Sequence, residues 1–419
     1  MSEVTQAARP ASGAAVPTRP ALRVPPLWLL GLITASGTVG MHILIPSLPE
    51  MAAELGVSPA ATQQSVTLYL IGLSLGQLIY GPLSDRFGRR PVLMAGLGLS
   101  VLAGAACGLA PGLGLLLPAR FMQAIGGCSG LVLGRAIVRD IAGPREAAAR
   151  LALLNLVLTV SPGIAPVVGG WIATFAGWRA IFGLLVVMGL ATILLAFRLL
   201  PETRAGQGQG PVTAAGVARP GLLASYRRLL RQPAFLGYSI AGACATSSMY
   251  GFFAVSAFVF VDQVHRPAHE VGYYYLVLIF GVSLGSIVIN RLARLFSIDA
   301  LLRFGTLFGA AGAALFLVAA ATGHLSVLTV MVPMFIFTIG AGLASPMALT
   351  RAVSVDPTAI GAAAGLYGAG QMAVGALCTW LAGFGHNPSL AAALVLTAGG
   401  VIGQAALMVA ARYTRPRES

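Results

Sequence analysis

The chain has no lysine: all 26 of its basic residues are arginine. That absence excludes a Walker A phosphate loop, whose lysine sits on the nucleotide phosphates, and any Schiff-base lysine. ATP-driven work by this chain alone is therefore not expected. Charge of every kind is scarce, at 9% of 419 residues against 57% hydrophobic, and mean hydropathy is +0.86. A water-facing surface needs roughly 25% charged residues, so most of the solvent of this chain must be lipid. The four cysteines (Cys107, Cys128, Cys244 and Cys378) stand in apolar segments without CxxC spacing, which excludes a redox pair or a thiolate metal site. No cofactor or metal is implied. The five histidines (42, 265, 269, 324 and 386) are scattered and form no HExxH, which disfavours a membrane-embedded enzyme or receptor.

What is present is a series of apolar runs. A membrane helix needs about 20 such residues, and twelve runs qualify: 27–48, 62–83, 91–110, 113–136, 148–172, 178–199, 234–260, 271–290, 301–321, 325–349, 358–383 and 389–411. The expected fold is an all-α integral membrane protein of twelve spans in two six-helix, pseudo-symmetric bundles. A Pro/Ala-rich tail, 1–26, is expected to be disordered. Residues 27–199 form the first bundle and 234–411 the second. The Gly-, Gln- and Pro-rich stretch 200–233 reads as a cytoplasmic linker, and 412–419 as a cytoplasmic tail.

The net charge of +14 is a topological signal rather than a nucleic-acid one. With the N-terminus cytoplasmic, 23 of the 26 arginines fall in or beside cytoplasmic segments, all but Arg120, Arg179 and Arg266. The positive-inside rule then places both termini in the cytoplasm of a bacterial inner-membrane protein, with anionic lipid as a further partner. DRFGR at 85–89 is echoed 205 residues later by NRLAR at 290–294, an internal repeat. Paired six-helix repeats are a recurrent architecture of secondary transporters, whose site lies at the repeat interface.

GPLSDRFGRRPVL, 81–93, resembles the loop between spans 2 and 3 of the major facilitator superfamily. Gly81 and Gly88 permit a tight turn and close helix approach. Asp85 can accept from amides at a helix N-terminus, for which Asp356-Pro357-Thr358 at the start of span 11 is the candidate. Arg86, Arg89 and Arg90 can hold lipid phosphates or partner carboxylates. A merely topological basic loop is the plain alternative. RFMQAIGG, 120–127, resembles the family's fourth-span motif; Arg120, Gln123 and Gly127 share a helix face, and an arginine at this depth should face a cavity or a partner. An arginine snorkelling outward is its alternative.

SPGIAPVVGG, 161–170, resembles the fifth-span motif associated with exporters. Pro162 and Pro166 interrupt the backbone ladder, and Gly163, Gly169 and Gly170 admit another helix. MHILIPSLPEMAAELG, 41–56, is most similar to the bicyclomycin/chloramphenicol-resistance (Bcr/CflA) branch of drug–proton antiporters. That resemblance implies export of drug-like or small amphipathic compounds by a monomer with small-molecule, proton and lipid partners, and no nucleic acid. A specific metabolite exporter or an uncoupled facilitator is the alternative.

Relatives carry an acid four residues before the first proline; here that place is His42. None of the twelve acids lies deep in a span. Histidine is the side chain that titrates nearest neutrality, so His42 is the candidate proton-coupling group, with substrate contact, gating or simple packing as other readings. Thr34, Thr38 and His42 recur every four residues as one stripe, and counting at 1.5 Å per residue puts His42 and Arg120 about 10 Å deep from the same side. Tyr250 in span 7 and Tyr367 and Gln371 in span 11, with Phe252 and Phe253, are candidate cavity residues.

Overall fold

In lipid an apolar segment can satisfy its backbone only from within, as a helix. The computed structural model describes residues 24–203, 222–385 and 387–414, and has no β-strand among them. Twelve helices are long and apolar enough to cross a membrane: spans 1 (Leu27–Leu55), 2 (Pro59–Phe87), 3 (Arg89–Gly108), 4 (Leu113–Ile141), 5 (Glu146–Ala176) and 6 (Trp178–Leu199), then 7 (Pro233–Gln263), 8 (Ala268–Ile289), 9 (Ile298–Ala321), 10 (Val327–Ser354), 11 (Ile360–Ala382) and 12 (Pro388–Tyr413). Span 1 continues past its expected end at 48, because the chain bends and resumes as helix instead of leaving the bundle. A short helix, Leu222–Leu230, precedes span 7. The expected disordered tail before residue 24, the middle of the expected linker (204–221) and residues 415–419 lie outside the described residues.

Local chemistry sets the ends. Ser58 and Ser297 each accept from the amide three residues on, and Ser326 with Thr329 forms a reciprocal capping box. Gly88 (φ +94°) and Gly177 (φ +76°) make the sharp turns between spans 2 and 3 and between spans 5 and 6.

The two halves repeat one packing plan. Span 4 packs on spans 1, 2 and 3, and span 10 on spans 7, 8 and 9. Lipid tails are as apolar as leucine, so close backbone approach has to hold such helices together. Gly127, Gly130 and Gly134 of span 4 provide it: a Cβ on Gly127 would stand 3.0 Å from the Gly37 Cα, and those on Gly130 and Gly134 would strike the Ile33 carbonyl and the Thr34 hydroxyl. In the second half Gly305 of span 9 meets Gly340 and Ala344 of span 10 in the same way.

Spans 1 and 7 are both interrupted, and at equivalent places. Span 1 leaves α-geometry after His42 and makes a 3-10 turn at Ile45–Ser47, where Pro46 has no N–H to give. Span 7 breaks between Ser247 and Met249, 205 residues later, where the Ser248 hydroxyl takes the Cys244 carbonyl at 2.6 Å. It ends in a π-turn, Val259–Gln263. Span 5, in contrast, runs on through Pro162 and Pro166 without a break.

The halves touch along spans 2 and 11, spans 5 and 8, and the bends of spans 1 and 7. One end of the bundle carries the 81–90 loop and most arginines, and is called here the basic end; the other is the far end. At the far end a Cβ on Gly383 would lie 3.1 Å from Gln63 Oε1, and one on Gly170 would lie 3.2 Å from the His269 Cα. Trp171 Nε1 donates across the halves to the Tyr273 hydroxyl at 3.1 Å. Midway, the Ser74 hydroxyl donates to the Ala369 carbonyl at 2.8 Å. At the basic end a Cβ on Gly81 of span 2 or on Gly361, at the start of span 11, would meet nothing within 4 Å. The contact is thus close at the far end and midway, where Gly368 of span 11 also receives Gln77 of span 2.

Candidate functional site

His42 sits at the last α-helical position before the bend of span 1, and the bend turns its ring towards span 7. The side chain is 2% exposed. Its Nδ1 lies 2.8 Å from the Thr38 carbonyl; a carbonyl only accepts, so Nδ1 carries hydrogen and Nε2 is the remaining ring nitrogen. The rings of Tyr250 and Phe253 approach the imidazole at 6.1 Å each. His42 is therefore clamped between the two interrupted helices, on the closed side of the space between the halves.

The stripe below it divides. Thr38 is half-buried, bonded to the Ala35 carbonyl at 3.0 Å. Thr34 is fully buried, bonded to the Leu30 carbonyl at 2.6 Å and pressed on Gly134. Thr34 thus serves the crossing of spans 1 and 4, and His42 is the member of the stripe that meets span 7.

Arg120 is fully buried, and it faces the interior of the first half rather than the space between the halves. Its Nη1 donates to the Gly40 carbonyl at 3.0 Å and to Gln123 Oε1 at 2.7 Å. The guanidinium lies 4.2 Å from the centre of the Tyr69 ring and 5.8 Å from that of Phe182, so ring quadrupoles supply part of what water would. Nε and Nη2 are buried with no hydrogen-bond partner. Equal depth in the membrane does not put Arg120 beside His42, because glycines 37 and 40 open the opposite face of span 1 to span 4 and to Tyr69. Gln123 follows Arg120 inward and lies against Gly104 of span 3.

In the second half Gln371 Nε2 donates to the Thr246 hydroxyl at 2.9 Å and, more weakly, to the Tyr367 hydroxyl at 3.4 Å. Tyr250, one turn beyond Thr246, packs its ring on Gly375. Tyr250, Tyr367 and Gln371 are thereby brought together around the interruption of span 7, opposite His42. Thr246 is the member that the sequence reading missed. Its signal was the Thr-Ser-Ser run at 246–248, one turn before Tyr250.

The 81–90 loop forms a compact ionic knot. Arg89 Nη1 pairs with Asp85 at 2.9 Å and takes the Ser84 hydroxyl at 2.6 Å, while Nε pairs with Asp140 of span 4 at 2.9 Å. Glu202, just after span 6, accepts from the backbone amides of Arg89 and Arg90 at 3.0 and 3.1 Å, placing a carboxylate at the N-terminus of span 3. Arg90 reaches the Phe197 carbonyl at 2.6 Å, and Arg86 lies over Phe87. Gly88 is needed twice, for its positive φ and because a Cβ there would stand 2.8 Å from Glu202 Oε2.

Two expectations are corrected here. Gly81 faces open space in this conformation instead of a close helix contact. Span 11 begins at Ile360 without a side-chain cap; Asp356 instead closes the turn before it, its Oδ1 accepting from the Thr358 amide at 3.1 Å, while Arg228 of the short helix pairs with the same carboxylate at 2.6 Å. Asp85 pairs within its own half.

The span 5 motif lies at two crossings. A Cβ on Gly169 would strike the Ile43 carbonyl at the bend of span 1, and Gly163 and Gly170 face Leu276 and His269 of span 8. Pro166 and Val167 receive Gly272 of span 8 just as closely.

Interrupted, pseudo-symmetric central helices around an interface closed at one end are the structure of an alternating-access carrier. The sequence profile of the Major Facilitator Superfamily matches residues 28–379. The chain belongs to the Major Facilitator Superfamily. The bicyclomycin resistance protein homolog of Haemophilus influenzae is 27% identical over 357 residues, 83% of this chain and 86% of the relative. Multidrug resistance protein D of Escherichia coli is 30% identical over 342 residues, 82% and 84% of the two chains. Among solved structures, a bacterial homologue of the human lysosomal transporter Spinster, inward-facing and occupied, superposes with a TM-score of 0.70 at 16% identity, covering 93% of this chain and 96% of that one; at that identity the likeness is one of fold. This superfamily member is a multi-pass transporter of small molecules of the bacterial inner-membrane type, and not an enzyme. Its resemblance to the bicyclomycin/chloramphenicol-resistance branch extends over most of its length.

Proposed function

We propose that the protein exports drug-like or small amphipathic compounds by alternating access, as a monomer, in exchange for protons. The basic end is cytoplasmic, as are both termini, because arginines are retained on that side. One observation carries the reading: the halves are in close contact at the far end, with His42 held there by Tyr250 and Phe253 across the two interrupted helices. A compound enters from the cytoplasm, and opening the far end pulls His42 away from span 7. Protonation of an imidazole that has just lost its aromatic clamp favours the open state, so His42 stands where a coupling group has leverage. The names of the relatives, bicyclomycin and multidrug resistance, support drugs as the cargo. Arg120 acts from behind, fixing the Gly40 carbonyl two residues before His42. The knot around Arg89 stiffens the first half through the rocking motion, and the exporter-type glycines of span 5 let the halves pivot closely.

One observation favours a second reading, an uncoupled facilitator: the intramembrane carboxylate is missing. Purified protein in vesicles separates the two. Under an imposed pH gradient, chloramphenicol flux should follow the gradient in wild type and lose that dependence in His42→Ala. Equal flux with and without a gradient in wild type would establish the facilitator.

A further inference from the structure

The chemistry of the walls between the halves has a consequence for charge. Of the twelve carboxylates in the chain, Glu3 and Glu418 lie outside the described residues. The other ten sit at the two ends of the bundle. Asp85, Asp140, Glu146, Glu202, Asp299 and Asp356 are at the basic end, and Glu50, Glu54, Asp262 and Glu270 are at the far end. Several are already engaged with arginines, including Glu54 with Arg179, Glu270 with Arg266 and Asp299 with Arg351. The formal charges within the body of the spans are cationic. Arg120 has no carboxylate partner among the described residues, and Arg135 of span 4 donates to a backbone carbonyl, that of Leu131, at 3.1 Å.

The groups gathered at the interruption of span 7 are neutral: the Thr246 hydroxyl, the Gln371 amide and the Tyr250 and Tyr367 phenols. One face of Phe253 is already taken, stacked on Tyr275 at 4.4 Å. A permanent cation entering this space gives up hydration and meets no countercharge. A neutral amphiphile meets hydroxyls and an amide.

We propose that this transporter accepts neutral amphiphiles and discriminates against permanent cations. The inference rests on the export reading above and names its substrate class. The corollary is that one carboxylate placed beside Thr246 would admit cations. The test uses the full-length protein in vesicles of neutral lipid, with chloramphenicol as the neutral probe and tetraphenylphosphonium as the permanent cation. Wild type should move chloramphenicol at least about tenfold faster than the cation. Gln371→Glu should raise cation flux by about tenfold, and Gln371→Asn should not. Thr246→Asp serves as a second carboxylate variant in case Gln371→Glu does not fold. Comparable flux of both probes in wild type, or no gain of cation flux in a folded carboxylate variant, overturns the charge selection and leaves export standing. Absence of flux for either probe in every folded protein overturns the export reading and this inference with it.

Discussion

The two halves share one packing plan and fill it with different chemistry. At the basic end, spans 3 and 4 are tied by Arg89 and Asp140, and spans 9 and 10 by Asp299 and Arg351, with the signs exchanged. At the far end, the end of span 1 and the start of span 6 are joined by Glu54 with Arg179 and Trp178, whereas the end of span 7 and the start of span 12 are joined by the neutral pair Gln263 and Asn387. In the interior the first half buries Arg120 on Tyr69 and Phe182, and the second buries a run of rings, with Phe252 edge-on to Phe316 at 5.6 Å and to Phe260 at 6.5 Å. The repeat conserves crossings, not partners. Where either sign, or none, makes the same joint, the joint is structural. The buried guanidinium has no counterpart among the rings of the second half, and that asymmetry is where function is to be sought.

Five substitutions, in four tests, would break or sharpen this comparison. The largest effect is expected in the second half. Phe316→Ala removes a fully buried ring from the aromatic run and should cost about 3–5 kcal/mol, read as a lowered unfolding temperature in detergent. Gly130→Val drives a side chain into the Ile33 carbonyl, and should cost about 1–3 kcal/mol of the first half's stability. Arg89→Asp should lose roughly 1–2 kcal/mol of the knot, and the exchanged pair Arg89→Asp with Asp140→Arg should recover protein yield, since the second half already uses that polarity. Arg120→Met should leave stability within about 1 kcal/mol of wild type while transport falls. If Arg120→Met instead unfolds the protein as Phe316→Ala does, the guanidinium is a keystone of the first half and the functional asymmetry disappears.

The sequence made legible whatever hydropathy and local spacing control. Twelve spans, the basic end and the 81–90 turn follow from runs of apolar residues, the placement of arginines and a glycine that must take positive φ. Phase around a helix was harder to read. Counting residues gives His42 and Arg120 a common depth, but the faces they occupy depend on which neighbour each pattern of glycines admits. Glycines 37 and 40 show this only once span 4 and Tyr69 are seen against them. The role of Glu202 was hidden for a different reason. Its partners are two backbone amides more than 100 residues earlier in the chain, and backbone donors leave no mark in a sequence. The clustering of Thr246 with Gln371 depends in turn on the crossing of spans 7 and 11, which no single segment encodes.

Glu202 has one more consequence. On one side of residues 204–221 this carboxylate fastens the chain to the start of span 3; on the other, Arg228 fastens the short helix to Asp356 and Thr358 of the second half. Each half therefore holds its own end of the connection. A gene split there should yield two polypeptides that assemble in the membrane into a working carrier when made together. Evolution by fusion of two six-helix ancestors would leave a joint of this kind, a seam bound down on both sides.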